Sequence, residues 1–128
     1  IIFCTHILHL LYSNKMKEQI TYEIFDKVDI RVGTVISVKK NEKARKPSLV
    51  VEVDFGKEIG IRQSSAQITH YYNEENLKNK QVIGVCNFAE KNIAGVVSQV
   101  LILGAIDQEG KVVLLHPSQK TEDGLPIA

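Results

Sequence analysis

Asp29-Ile30-Arg31-Val32-Gly33-Thr34-Val35-Ile36-Ser37-Val38 is the stretch whose period decides the fold class. Ile30, Val32, Thr34, Ile36 and Val38 fall on one side of a two-residue repeat, and Asp29, Arg31, Gly33, Val35 and Ser37 on the other. That repeat predicts a β-strand. Gly33 inside it marks a sharp bend or bulge, as at the corner of a small barrel. Upstream, Glu18 to Asp26 reads as a short lead-in helix with Ile20, Ile24 and Phe25 packing inward. Downstream, Lys39-Lys40-Asn41-Glu42-Lys43-Ala44-Arg45-Lys46-Pro47 breaks the alternation as a charged loop with five basic residues and one acid.

The two-residue repeat then resumes. Leu49, Val51, Val53 and Phe55 alternate with Val50, Glu52 and Asp54, and a tight connection leads to a third strand from Glu58 to Gln63. Tyr71 to Leu77 reads as a short helix. Gln81 to Phe88 is a continuous apolar run, the pattern of a strand covered on both sides, and Val96 to Leu103 is another. Gln108-Glu109-Gly110-Lys111 is a hairpin turn into Val112-Val113-Leu114-Leu115, which Pro117 stops.

Five or six short strands with one short helix after the third describe an all-β Greek-key barrel of the OB type, with terminal extensions. The spacing leaves no room for crossover helices, which argues against a parallel sheet. An immunoglobulin-like sandwich needs about seven strands and no helix here.

Composition narrows the function. A chain of 128 residues is one domain with a real core, and 44% hydrophobic against 24% charged residues makes it globular and soluble. Sixteen Lys and Arg against fifteen Asp and Glu leave a net charge of +1, so a nucleic-acid site must come from local clustering. Cys4 and Cys86 form no CxxC motif, which points to a reducing, cytoplasmic setting. The apolar run from Ile1 to Leu11 lacks a basic flank, a cleavage site and the length of a membrane span. Met16-Lys17-Glu18 has the look of an ordinary start, so 1–15 reads as a segment outside the domain, either native or upstream sequence foreign to the protein. If it is native, Ile2, Phe3, His6, Ile7, Leu10 and Leu11 fall near one helical face. His6 and His9 have ligand spacing but no third ligand, so no metal site is expected.

The polar run Ile61-Arg62-Gln63-Ser64-Ser65-Ala66-Gln67-Ile68-Thr69 interrupts the apolar strands. It is either a plain turn whose hydroxyls satisfy the backbone, or a rim loop that presents binding groups. A second such stretch runs from Asn87-Phe88 through Ile93-Ala94-Gly95 to Ser98-Gln99. Neither makes a catalytic centre. Ser64 or Ser65 with His70 lacks a GxSxG turn, His116 beside Pro117 reads as structural, and no phosphate-binding glycine loop or zinc spacing is present. No catalytic residue, cofactor or metal is expected.

Phe25-Asp26-Lys27-Val28-Asp29-Ile30-Arg31-Val32-Gly33-Thr34-Val35 resembles the opening strand of the tRNA-binding domain family, which includes the C-terminal extension of bacterial methionyl-tRNA synthetase. Asp54 through Thr69 resembles the signature of its CsaA branch, as do Asn79 to Ile83, Asn87-Phe88, Ile93 to Gly95, Ser98, Val113 to Leu115 and Pro117. The likeness covers about Phe25 to Ile127. Domain limits follow: 1–15 outside it, 16–24 leading in, and 25–128 the OB domain with a C-terminal dimerisation tail. The resemblance implies an OB-fold, no catalysis, a homodimer built partly from the terminal segments, and two ligand classes. These are tRNA and, for the CsaA branch, unfolded or exported polypeptide. Where relatives carry Pro and two basic residues after Asn-Phe, this chain has Ala89-Glu90-Lys91-Asn92, losing a cation and gaining an anion.

On the RNA reading the candidates are Lys43, Arg45 and Lys46 in the first long loop, then Arg62, Ser64, Ser65, Gln67, Asn87, Lys91, Ser98 and Gln99. Cations and polar groups at a barrel rim suit recognition of RNA shape and backbone. With eight aromatic residues, none of them Trp, and most expected in the core, base stacking should be limited. On the chaperone reading, apolar side chains around the same rim hold extended polypeptide.

Overall fold

The computed structural model describes residues 15–128. The readings made for Ile1 to Leu11, including the His6/His9 pair, lie outside the described residues. A short helix α1 (Tyr22–Asp26) leads into β1 (Ile30–Lys40), then β2 (Leu49–Asp54), α2 (Gly56–Ile59), β3 (Ile61–Ala66), α3 (Glu74–Leu77) and β4 (Gln81–Val85). The second half is cut into short pieces: β5 (Lys91–Ile93), β6 (Val96–Ser98), β7 (Leu101–Ile102), β8 (Gly104–Ile106) and β9 (Val112–Leu114).

Five antiparallel strands make one sheet in the order β3-β2-β1-β4-β7, with β5–β6 and β8–β9 as two-stranded ribbons. The sheet curls until β7 and β6 come against β3, where Gln99 N–H donates to the Gln63 carbonyl at 2.8 Å. This nearly closed barrel is an OB-type all-β fold, with α3 between its third and fourth strands. Asn73 caps α3 with a reciprocal capping box, so this four-residue helix satisfies its own N-terminus. Leu77 on α3 then seals the core formed by Val35, Val51, Val53, Phe55, Ile68, Val82 and Ile102.

Several expectations need correcting. β1 does break its repeat, but three residues beyond Gly33: Val35 pairs with Val53 and Ser37 with Glu52, so Ile36 is the extra residue of a bulge. The bulge resets the face, so that Gly33 and Val35 before it and Val38 after it share the core side, while Val32 is buried on the opposite side of the strand. Gly33 is required by a close approach instead, since a Cβ there would lie 2.6 Å from Val53 Cγ1 and 2.7 Å from Phe55 Cδ1. The lead-in helix starts at Tyr22, with Thr21 capping it, and buries nothing; Ile20 and Ile24 face solvent. Five residues are too short a helix to reach across a core. The third strand starts later and runs on through Ala66, and the run expected from Val96 to Leu103 splits into β6 and β7 at Gln99-Val100.

The C-terminal segment lies along β1. Pro126 bridges to Arg31, Gly124 N–H donates to the Val32 carbonyl, Val32 N–H to that of Leu125, and Ile127 N–H to that of Ile30. It thus takes the edge of β1 that β2 leaves unpaired. Side chains fix the register: Thr34 Oγ1 donates to Asp123 at 2.6 Å, and Arg31 to the Gly124 carbonyl at 3.0 Å.

Candidate functional site

The charged loop and the β5–β6 hairpin meet at one end of the barrel. The hairpin turns at Ala94 (φ 50°) and Gly95 (φ 83°), the paired positive angles of a type I′ turn, and Asn92 Oδ1 accepts from Gly95 N–H. A Cβ on Gly95 would lie 3.5 Å from Lys43 Cδ, so the hairpin tip rests against the β1–β2 loop. Lys43, Arg45 and Lys46 are all exposed there, and Lys91 is exposed on β5 of the same hairpin. Lys39 and Lys40 end β1 beside them and are exposed too. In OB barrels these two connections border the nucleic-acid-binding face.

The serines, with Gln63 and Gln99, are bonded to one another across the barrel wall. Ser64, Ser65 and Ser98 are buried, in strands rather than in a rim loop. Ser65 N–H donates to Ser98 Oγ, and Ser98 Oγ to Ser64 Oγ, at 3.4 and 3.5 Å. Gln63 N–H donates to Gln99 Oε1 at 3.1 Å, and Gln63 Nε2 to the Val97 carbonyl at 2.9 Å. Here β3 meets β6 with no regular ladder, and side chains supply the partners that an open sheet edge would lack. The expected exposed polar corner is therefore the seam of the barrel. The two stretches do meet, with the Ser64 and Ser98 hydroxyls and the Ser65 N–H bonded to one another in the wall.

Glu90, the anion in the departure from the family pattern, accepts from Gln99 Nε2 at 3.1 Å and so is turned toward the seam. Asn87 is a clamp: its Oδ1 accepts from Asp29 N–H at 2.9 Å and its Nδ2 donates to the Lys27 carbonyl at 2.8 Å. Gln67 is half-buried just past β3. Arg62 stands at the other end of β3, opposite Val53, with its Nε donating to the Ile59 carbonyl. About 13 Å of strand separates its position from Ala66, which pairs with Leu49 at the end of the charged loop. Arg62 is therefore not one of the loop cluster. Near it, burial pushes the Cys86 thiol up to about 11, with Asp29 adding to the rise and Arg62 and Arg31 opposing it.

One exposed aromatic lay beyond sequence reasoning. Phe88 is 55% exposed, as Tyr22 and Tyr71 are largely exposed elsewhere, which corrects the expectation that most rings pack inward. A bare Asn-Phe pair after an apolar run carries no signal of which residue leaves the core. A separate recess of about 960 Å³ lies between α3 and the 116–123 segment, lined by Tyr72, Lys80, His116 and Lys120 among others. It includes none of the expected site residues. Among the described residues no three His, Cys, Asp or Glu are grouped to hold a metal ion, and no helix is long and apolar enough to cross a membrane.

Comparison with known proteins agrees with this architecture. The family model described as "Putative tRNA binding domain" matches residues 30–126. The chaperone CsaA from Bacillus anthracis str. Ames superposes with a TM-score of 0.82 at 42% identity, covering 87% of this chain and 100% of that one. The CsaA chaperone protein from Picrophilus torridus gives 0.80 at 46% identity, covering 86% of this chain and all of its own. The methionine–tRNA ligase of Pyrococcus horikoshii is 41% identical over 115 residues, which are 90% of this chain but only 15% of the ligase. The chain therefore spans a small part of the curated ligases it matches, and the full length of the two CsaA chains.

Proposed function

The chain belongs to the tRNA-binding domain family, and from that premise we propose that it is a non-catalytic, cytoplasmic homodimer that binds tRNA or structured RNA. Lys43, Arg45, Lys46 and Lys91 hold phosphates, and the buried seam residues keep the hairpin in place beside the loop. The observation that carries this reading is the contact between the hairpin tip and Lys43, which gathers cations of two connections on one rim. With a near-neutral net charge, phosphate affinity has to come from a local gathering of cations such as this one.

Each cation that neutralises a phosphate contributes roughly 0.7 to 0.9 to the slope of log affinity against log salt. In a fluorescence-anisotropy titration of labelled tRNA between 50 and 300 mM salt, the Lys43→Ala, Arg45→Ala, Lys46→Ala triple variant should lose about 2 units of that slope. A triple variant with the wild-type slope removes these side chains from the interface.

The homodimer rests on an apolar surface that the single chain leaves open. The tail brings Leu125 and Ile127 to the start of β1, where the lead-in carries Ile24 and Val28, all four exposed. A second copy covers such a surface without loss of solubility.

The alternative, an export-related chaperone holding unfolded or exported polypeptide, is favoured by exposed Val97 on the same hairpin, which offers an apolar contact beside the cations. If the triple variant still suppresses aggregation of an unfolded client while losing RNA, polypeptide is held elsewhere than at the cations. Equal loss of both activities means one shared site.

A further inference from the structure

We propose that Phe88 is the platform on which an unpaired base of the bound RNA stacks; this rests on the RNA reading and extends it to the kind of RNA selected. The ring is more than half exposed, and the chain around it is held fast. Cys86 N–H donates to the Asp29 carbonyl at 2.8 Å, and Asn87 grips both Lys27 and Asp29. Two residues after the ring, Glu90 is joined to Gln99. A large apolar side chain is thus presented to solvent by a loop pinned on both sides.

Scattered exposed apolar residues are ordinary on protein surfaces. This one differs in its setting. It makes no ring–ring contact with any described residue, whereas Tyr22 pairs with Phe25 and Tyr71 with His70. It belongs to the β4–β5 connection, three residues before Lys91, and so at most about 10 Å along the chain from that cation. From Lys91 the hairpin runs on to its tip against Lys43. A strand whose phosphates follow the hairpin would thus pass Phe88 at the hairpin's base. An aromatic face beside a cationic track is how non-duplex nucleic acid is held, because every base offers a flat π-surface. Bases inside a continuous duplex have no free face. The ligand must therefore bring an unstacked base, from a loop or a single-stranded end.

The chain contains no Trp, so Phe88→Trp introduces a lone indole reporter. Its fluorescence should be quenched as tRNA saturates the protein, with affinity close to wild type. Phe88→Ala and Phe88→Leu should each weaken tRNA binding about 5- to 100-fold, since Leu keeps the apolar bulk but not the face. The salt slope should stay at the wild-type value, because stacking releases no counterions. A blunt RNA duplex should bind all the variants equally. Unquenched indole at saturation, or wild-type affinity in Phe88→Ala, overturns the stacking while leaving the cationic rim intact. If Phe88→Ala instead sediments as a monomer, the ring belongs to the subunit interface and the proposal falls. No binding by the wild-type protein at 50 mM salt would overturn the RNA reading and this inference together.

Discussion

Replacing Gly33 by alanine tests whether the barrel turns on the close approach described above. A new Cβ would meet Val53 Cγ1 at 2.6 Å and the Phe55 ring at 2.7 and 2.8 Å. Apolar carbons prefer roughly 3.5 to 4.0 Å, so the deficit is about 1 Å against three atoms at once. Neither neighbour can retreat, because Val53 and Phe55 are fully buried and already packed on the rest of the core. Overpacking of this kind costs about 1 to 3 kcal/mol. For a chain between the usual small and medium size classes, each kcal/mol lowers Tm by about 3 to 6 °C. Thermal unfolding of Gly33→Ala should therefore fall by about 3 to 18 °C. Paired with Phe55→Leu, which frees ring volume, the two losses should combine to less than their sum, by at least about 0.5 kcal/mol. A Gly33→Ala protein that melts with the wild type, or strict additivity in the pair, would refute the packing argument and leave Gly33 without a role in the fold.

Cys86 supplies a pH dependence. Its thiol is raised from 9.0 to about 11 by burial, so the folded state favours the protonated form. That contribution is whole below pH 9 and is lost as pH rises towards 11, because the unfolded chain gives up the proton first. The difference in unfolding free energy between wild type and Cys86→Ala should narrow over that window, by at most about 1.4 kcal/mol per pH unit. A difference that stays flat in urea titrations from pH 8 to 11 contradicts it. For the dimer, sedimentation should give twice the 14.3 kDa chain mass for wild type. It should give the single mass for Ile24→Asp with Leu125→Asp, both exposed in the single chain and so cheap to change there. A double variant that stays dimeric places the interface elsewhere.

Much of the barrel was legible because burial imposes a period. Leu49, Val51, Val53 and Phe55 alternate in sequence and all reach the core; of the run expected to be covered from Gln81 to Phe88, Val82 to Cys86 is buried, whereas the strand ends at Val85 and Asn87 and Phe88 are exposed. What escaped were features fixed by long-range contact. The bulge at Ile36 depends on where β2 pairs, and nothing local at Ile36 announces it. Gly33 drew attention as a breaker, yet its cause is a Phe ring twenty-two residues away. The lead-in helix had a plausible apolar face, but an apolar face does not say whether its partner is the same chain. At the site, the cluster of loop cations was visible in composition, whereas their meeting with the hairpin tip is a matter of topology.

The polar stretch shows why site and scaffold are hard to separate in this fold. A β-barrel closed by a full ladder would let its last hairpin be placed by backbone bonds alone. Here the hairpin is attached to β3 largely through Ser64, Ser98, Gln63 and Gln99, side chains whose bonds have direction but also slack. Two of those bonds are 3.4 Å or longer, near the limit at which they hold anything. The spacing between Lys91, the Ala94-Gly95 tip and the β1–β2 loop is therefore set by the seam, and on the proposal that these cations hold phosphates, recognition would depend on that spacing. On that proposal, buried seam residues govern the geometry of the exposed cations. The same polar run would then be both a structural closure and a functional determinant, two roles that its chemistry alone does not tell apart.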